Sequence, residues 1–284
     1  MNKTIDVFIY SYKGKNLIDV INQLNKTSKN KINIQLFDQN PIDRRQQFSN
    51  ILNLKYKHII WDIIKSPCLY KNSFIKKSNA DYILILSDNI LMSDGWDERF
   101  INFINDKIII SGSGKLSISK KDEFSIQKNI SESSLFNLTN YINRDFIFGK
   151  KETFDNIRYP EYVKYNGEEE ILSVDTYCSG IDIYSAPSKI YSSIKKDEGN
   201  IYVPYSVDHL YNECISLLLN QKNNFIELKN NRSLSDFEQF HNFIFKENLS
   251  YLPYQNNDVL YDQYSMQFGN MGGSKFIKKV TQVN

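Results

Sequence analysis

The segment from Asp81 to Asp97 reads DYILILSDNILMSDGWD: a continuous apolar run, then Ser87-Asp88-Asn89, a short apolar stretch and Gly95-Trp96-Asp97. A carboxylate at the end of a buried strand can coordinate a divalent cation and so hold a diphosphate whose charge grows as a bond to it breaks. The same Asp88-Asn89 pair also suits an Asx turn after a core strand. From this segment alone both readings stay open.

A second constellation is Tyr165 to Pro187, where Gly167 precedes three carboxylates, Glu168, Glu169 and Glu170. Acidic residues opening a helix interact favourably with its dipole, so helix capping accounts for them. In a pocket, Glu168 or Glu169 would instead accept sugar hydroxyls or stabilise positive charge at an anomeric carbon. Lys71 follows Ser66-Pro67 by one helical turn and could reach a phosphate, although a solvated lysine is the plainer reading. Ser11-Tyr12-Lys13 offers a ring and a cation to a nucleobase and a phosphate, or forms an ordinary turn.

His58, His209 and His241 are scattered without an HExxH or HxxxH arrangement, and Cys68, Cys178 and Cys214 lack any CxxC spacing. A histidine-rich zinc hydrolase, a structural zinc site and a disulfide framework are therefore disfavoured. No GxSxG, Walker or GxGxxG pattern occurs, which removes the common serine hydrolase, P-loop and dinucleotide readings. A net charge of +2 gives no global electrostatic case for a polyanion binder. No window approaches the roughly 18 to 20 apolar residues that span a bilayer, so a soluble, cytoplasmic chain without a signal peptide is expected.

These residues need a scaffold, and the apolar pattern supplies one. Ile5–Tyr10, Ile32–Phe37, His58–Ile64, Tyr82–Leu86 and Lys107–Ser111 have strand character. Leu17 to Leu24, Leu69 to Ile75 (Leu69, Tyr70, Phe74 and Ile75 on one face) and Glu169 to Tyr177 have helical spacing. Alternation of the two predicts a parallel sheet whose ligands bind at the carboxyl ends of the strands, where Tyr12, Asp38, Pro67 and Asp88 fall. Residues 113–143 are polar and Ser-rich, which predicts a surface loop over the site. Phe146–Phe148, Asp182–Tyr184 and Tyr202–Tyr205 are short strand candidates, and Val207–Leu219 and Leu234–Phe245 are further helices. The expected division is a catalytic domain over residues 1–250 and a C-terminal extension or tail over 251–284.

Taken in order, the segments resemble glycosyltransferase family 60, whose best-known members add N-acetylglucosamine to hydroxyproline on a cytoplasmic protein. Ser11-Tyr12-Lys13 matches the family's SYRD, Ser66 to Lys71 its GPxxAR, and Tyr82 to Asp97 its YxLQIDSHxxFxxxWD. Phe146 to Gly149 matches FxFG, Gly167 to Pro187 matches GEEIxxSxRxxTxGYDxxSP, and Arg232-Ser233-Leu234 a late helix. The resemblance implies a GT-A-type α/β fold: a mixed, mainly parallel sheet flanked by helices, with a C-terminal helical extension. It further implies a UDP-sugar donor, a hydroxyl acceptor, retention of stereochemistry and a manganese or magnesium ion.

On this pattern Glu168 and Glu169 are the catalytic candidates, and Asp88 and Asn89 the metal candidates. Ser11, Tyr12, Lys13, Asp38, Pro67, Lys71, Ser87, Asp88, Trp96 and Asp97 are expected at the donor. The family's Asp-x-His triplet is Ser87-Asp88-Asn89 here, and its later ligand histidine falls near Ser192 or Ser193, so both expected metal ligands are replaced. Lys13 and Lys71 stand where the pattern has arginine, keeping charge but losing the bidentate fork. The acceptor hydroxyl could lie on a protein, a glycan or, in a phage-type enzyme, a modified DNA base, with the basic tail residues Lys275, Lys278 and Lys279 on the nucleic acid. The remaining reading is a degenerate sugar-nucleotide-binding protein without catalysis. Membrane attachment is not expected, and the oligomeric state is open.

Overall fold

The computed structural model describes residues 3–194 apart from 13, 41, 60–66, 114, 119–123, 128–133, 140 and 162–167, together with 232–233, 236–237 and 239. In chain order they form β1 (Thr4–Tyr12), α1 (Leu17–Thr27), β2 (Lys31–Gln39), α2 (Arg45–Phe48), β3 (Leu54–His58) and α3 (Pro67–Lys77). There follow β4 (Tyr82–Ser87), β5 (Ile90–Met92), α4 (Trp96–Phe103), β6 (Ile108–Ser111), β7 (Lys115–Ile118), β8 (Phe124–Gln127) and β9 (Asn137–Thr139). The last are β10 (Phe146–Lys150), α5 (Lys151–Phe154), α6 (Glu168–Cys178), β11 (Asp182–Ser185) and β12 (Tyr191–Ser193).

Eight strands form one sheet in the order β3-β2-β1-β4-β10-β6-β11-β9. β1 is parallel to β2 and β4, β2 to β3, and β6 to β11, whereas β10 runs against β4 and β6 and β9 against β11. The sheet is thus mixed and mainly parallel, as the alternating pattern predicts. Because β10 is reversed, its first residues lie at the carboxyl ends of its neighbours: Phe146 pairs with Leu86, and the Ser87 amide donates to the Asp145 carbonyl at 2.8 Å.

Strand alternation sorts the core into two layers. Ile5, Val7, Ile9, Leu84, Leu86, Phe146 and Phe148 pack with Leu17, Val20, Ile21 and Leu24 of α1 and with Trp96 and Phe100 of α4. Phe8, Ile83, Ile85 and Ile147 face the other way, against Cys68, Phe74 and Ile75 of α3 and Leu172 of α6. Central strands covered on both faces lose the polar/apolar alternation, which is why β4 reads as an unbroken apolar run. Each such side chain contributes roughly 1.5–3 kcal/mol on burial.

Several expectations need correction. The described edge strand is Leu54–His58, which meets the expected stretch His58–Ile64 only at its start; residues 60–64 of that stretch lie outside the described residues. β3 is the sheet edge and alternates partly buried with exposed residues, so it does not read as a continuous apolar run. On α3, Cys68 joins Phe74 and Ile75 in the core while Leu69 is exposed. Within 113–143 the chain forms the β7–β8 hairpin and β9, the latter at the sheet's far edge, rather than a plain loop. These strands are only three or four residues long, too short for a period to register. Lys13, Ser66, Gly167, the elements expected from Tyr202 to Leu219 and the boundary at residue 250 lie outside the described residues. No helix among the described residues is long and apolar enough to cross a membrane.

Candidate active site

β1, β2 and β4 end side by side, with Ser11 paired to Asp38 and Tyr10 to Ser87 across the sheet. Their terminal side chains are therefore neighbours by register alone. The Ser11 hydroxyl donates to Asp88 Oδ2 at 2.9 Å, and the Gly14 amide donates to Ser11 Oγ at 3.2 Å. A Cβ on Gly14 would stand 2.5 Å from Asp88 Oδ2 and 2.6 Å from Ser11 Oγ, so the turn after β1 closes over Asp88 only because residue 14 has no side chain.

Asp38 is fully buried at the end of β2 and is held by Arg44, whose Nε and Nη2 donate to its two oxygens at 2.9 and 2.6 Å. Arg44 Nη1 also donates to the Gly14 carbonyl at 2.6 Å, and the Tyr56 hydroxyl donates to Asp38 Oδ2 at 3.0 Å. The Arg44 guanidinium thus ties the end of β2 to the turn after β1, and the Arg44 amide, which donates to the Tyr56 hydroxyl at 3.0 Å, adds β3. Burial is the main reason the Tyr56 hydroxyl is pushed far above its ordinary range.

On the other face of the sheet α3 and α6 converge. Pro67 opens α3, where its missing N–H is harmless, and Lys71 one turn later pairs with Glu168 at the start of α6. The Lys71 ammonium also lies 4.8 Å from the centre of the buried Tyr159 ring, a cation–π contact that helps compensate its lost hydration. Burial pulls this ammonium downward, but the neighbouring Glu168 carboxylate and Cys68 outweigh it, and the net displacement is upward. Glu169 is buried, with Arg144 Nε 3.6 Å from its Oε1. Burial, then the charge of Glu168, push the Glu169 carboxyl upward against the pull of Arg144. Because Arg144 directly precedes the Asp145–Ser87 contact, this cluster lies at the carboxyl edge beside the end of β4.

The structure therefore brings Ser11, Asp38, Ser87, Asp88, Lys71, Glu168 and Glu169 to one edge of the sheet, with the backbone of Tyr12 closing β1. Asp88 and Asn89, expected as joint metal ligands, take different partners: Asp88 accepts from Ser11, and Asn89 Oδ1 accepts from Ser87 Oγ at 2.6 Å. A hard divalent cation needs several oxygen ligands, carboxylates above all. Among the described residues no group of three or more His, Cys, Asp or Glu side chains could hold one, so these residues do not fit the cation that the resemblance implies.

Trp96 and Asp97, expected at the donor, belong elsewhere. Asp97 accepts from Ser28 Oγ at 3.0 Å, the Lys29 amide at 2.9 Å, and the Asn30 amide and side chain at 2.6 and 2.8 Å. That turn leads into the first residue of β2, at the amino edge of the sheet. Trp96 is fully buried against Phe100 and Phe148. Arg232 likewise serves the amino edge, pairing with Asp182 at 2.7 Å. Sequence reasoning missed Arg44 and Arg144. Arg44 directly precedes α2 and Arg144 stands two residues before β10, and neither position carries a motif that would single it out.

No protein-family model and no curated protein matches the chain. Among solved structures it resembles Staphylococcus aureus TarS residues 1–349 in complex with UDP at 14% identity and a TM-score of 0.56, covering 83% of this chain and 69% of that one. It also resembles GalNAc-T7 with UDP, GalNAc and Mn2+ at 12% identity and a TM-score of 0.61, covering 87% of this chain and 56% of that one. The chain thus spans little more than half of the GalNAc-T7 chain. Such identities speak to architecture alone, and with the mixed sheet described above they establish that the chain has a GT-A-type fold.

Proposed function

We propose that the chain is a glycosyltransferase that moves a hexose or N-acetylhexosamine from a UDP-sugar to a hydroxyl acceptor, with retention at the anomeric carbon. The observation that carries this reading is the gathering of Ser11, Asp38, Asp88, Lys71, Glu168 and Glu169 at the carboxyl edge, in a fold whose solved neighbours include complexes with UDP.

The residue chemistry fits the reaction. Departure of UDP leaves negative charge on the diphosphate and positive charge at the anomeric carbon. Glu168, oriented by Lys71, and Glu169 are carboxyl groups fixed before substrate arrives, suited to accept sugar hydroxyls and to stabilise the developing cation. The closed turn over Asp88, locked by Arg44, gives the nucleotide a preformed floor.

The test is transfer and hydrolysis with a panel of UDP-sugars, read by UDP release, alongside direct UDP binding. Turnover with at least one UDP-hexose or UDP-N-acetylhexosamine is expected. Binding without turnover would support a sugar-nucleotide-binding protein, and no binding of any UDP-sugar sinks the proposal.

A further inference from the structure

The end of β4 presents Ser87 and Asn89 bonded to each other, so the strand end that should meet a diphosphate carries a neutral pair. Asp88 is turned into the fold toward Ser11 and Gly14. A donor bringing two or more negative charges still needs a counter-charge at this place.

Lys15 is exposed in the turn after β1, and four further basic residues described at this edge differ in how firmly they are held. Arg44 is 14% exposed and makes three bonds of 2.6–2.9 Å to Asp38 and Gly14. Lys71 is 13% exposed, bonded to Glu168 and stacked on Tyr159. Lys57 lies on β3, three places from β4 in the sheet, with its ammonium over the rings of Phe37 and Tyr70. Arg144 is different: its side chain is 64% exposed, and its contact with Glu169 is a long 3.6 Å. It also enters the sheet next to Ser87 through the Asp145 carbonyl.

We propose that Arg144 is the counter-charge for the donor's diphosphate, a positioning residue that leaves Glu169 for the phosphate oxygens and makes donor binding independent of a divalent cation. The inference rests on the UDP-sugar reading above. A guanidinium presents a planar fork that matches two phosphate oxygens, which an ammonium cannot do. When Arg144 leaves, the helix dipole at the start of α6 and the Lys71 charge still favour the Glu169 carboxylate, against the burial and the Glu168 charge that push it upward.

The experiment is calorimetric titration of the full chain with UDP, in excess EDTA and again in manganese, for the wild type and the R144Q, R144K and E169Q variants. Wild-type affinity should agree between the two conditions within about twofold. R144Q should weaken UDP by about tenfold to a hundredfold, the worth of one charged hydrogen-bond pair, and R144K should recover part of it. E169Q, which releases Arg144, should tighten UDP binding, a result no merely structural role for Glu169 produces. Because Arg144 is exposed, R144Q should unfold at the wild-type temperature. Binding that requires manganese, or binding undiminished in R144Q, overturns the inference and leaves the donor reading standing. No UDP binding by the wild type in either condition overturns both.

Discussion

Asp38 and Arg44, six residues apart, form a two-pronged ion pair at the mouth of the sheet, with the carboxylate fully buried and the guanidinium nearly so. Removing one member of such a pair leaves the other charge stranded. Arg44→Ala should cost about 3–5 kcal/mol by denaturant titration. Arg44→Lys should recover little of that, because an ammonium cannot serve both Asp38 oxygens and the Gly14 carbonyl together. A variant as stable as the wild type would show that the pair contributes nothing to folding.

Gly14→Ala tests the closed turn. The added methyl meets Asp88 Oδ2 and Ser11 Oγ at distances no real Cβ tolerates, so either the turn lifts or the Asp88 and Ser11 side chains shift. The expected result is about tenfold weaker UDP binding with a stability loss of only about 1–2 kcal/mol, the ordinary range for a local strain. Calorimetry and thermal unfolding on the same sample separate the two effects.

Glu168 and Lys71 should act as a unit in turnover. Glu168→Gln keeps the shape but removes the charge, and kcat should fall by about 10²–10³ while UDP affinity is kept, as for other preorganised electrostatic groups. Lys71→Met should lose as much, and the double variant should be no worse than either single one. Additive losses in steady-state kinetics would show that the two residues work separately.

Glu169 predicts a pH dependence of stability. Its carboxyl is displaced upward in the fold, so the folded state binds its proton more tightly than the unfolded chain does. That favours folding at low pH, and the advantage is lost as pH rises from about 4, the unfolded value, through the folded one. Glu169→Gln should therefore be more stable than the wild type at pH 8, with the difference shrinking to nothing near pH 4. Urea titrations at both pH values give the comparison.

Asp97 predicts the opposite sign. Burial alone would raise its carboxyl, but the bonds from Asn30, Lys29 and Ser28 together outweigh that and hold it low. Its contribution is complete above about pH 4 and disappears as pH falls through the depressed folded value. Asp97→Asn should cost about 2–4 kcal/mol at pH 7, since four donors then face an amide, and should leave UDP affinity unchanged. A selective loss of UDP binding would return Asp97 to the donor site.

The central strands were legible because burial on both faces writes itself into the chain. Ile5–Tyr10 and Tyr82–Leu86 could hardly be anything but strands, and α1 carries its core stripe at helical spacing. The edge strand β3 and the short strands β5, β9 and β12 do not show in the sequence, because partial burial or three residues leave too weak a period. In the candidate site, Asp38 and Asp88 are legible as polar residues following apolar runs, and Lys71 and Glu168 as charged residues in the opening turns of helices. Arg44 and Arg144, which pair with Asp38 and Glu169, are not, since neither lies in a motif.

The sequence by itself determined that polar residues punctuate a set of apolar strands and helices, and hence which side chains stand at strand ends. Only the tertiary structure decided which end of the sheet each one serves. Asp88 and Asp97 lie in one short segment and look alike as letters, yet β5 and the turn after it carry the chain between them from the carboxyl edge to the amino edge, where α4 begins. There Asp97 is consumed by the turn at Ser28 to Asn30. Asp88 and Asn89 are adjacent, yet the turn after β4 sends one to Ser11 and leaves the other with Ser87. Direction and partner come from packing between segments distant in sequence, and local spacing carries no record of it.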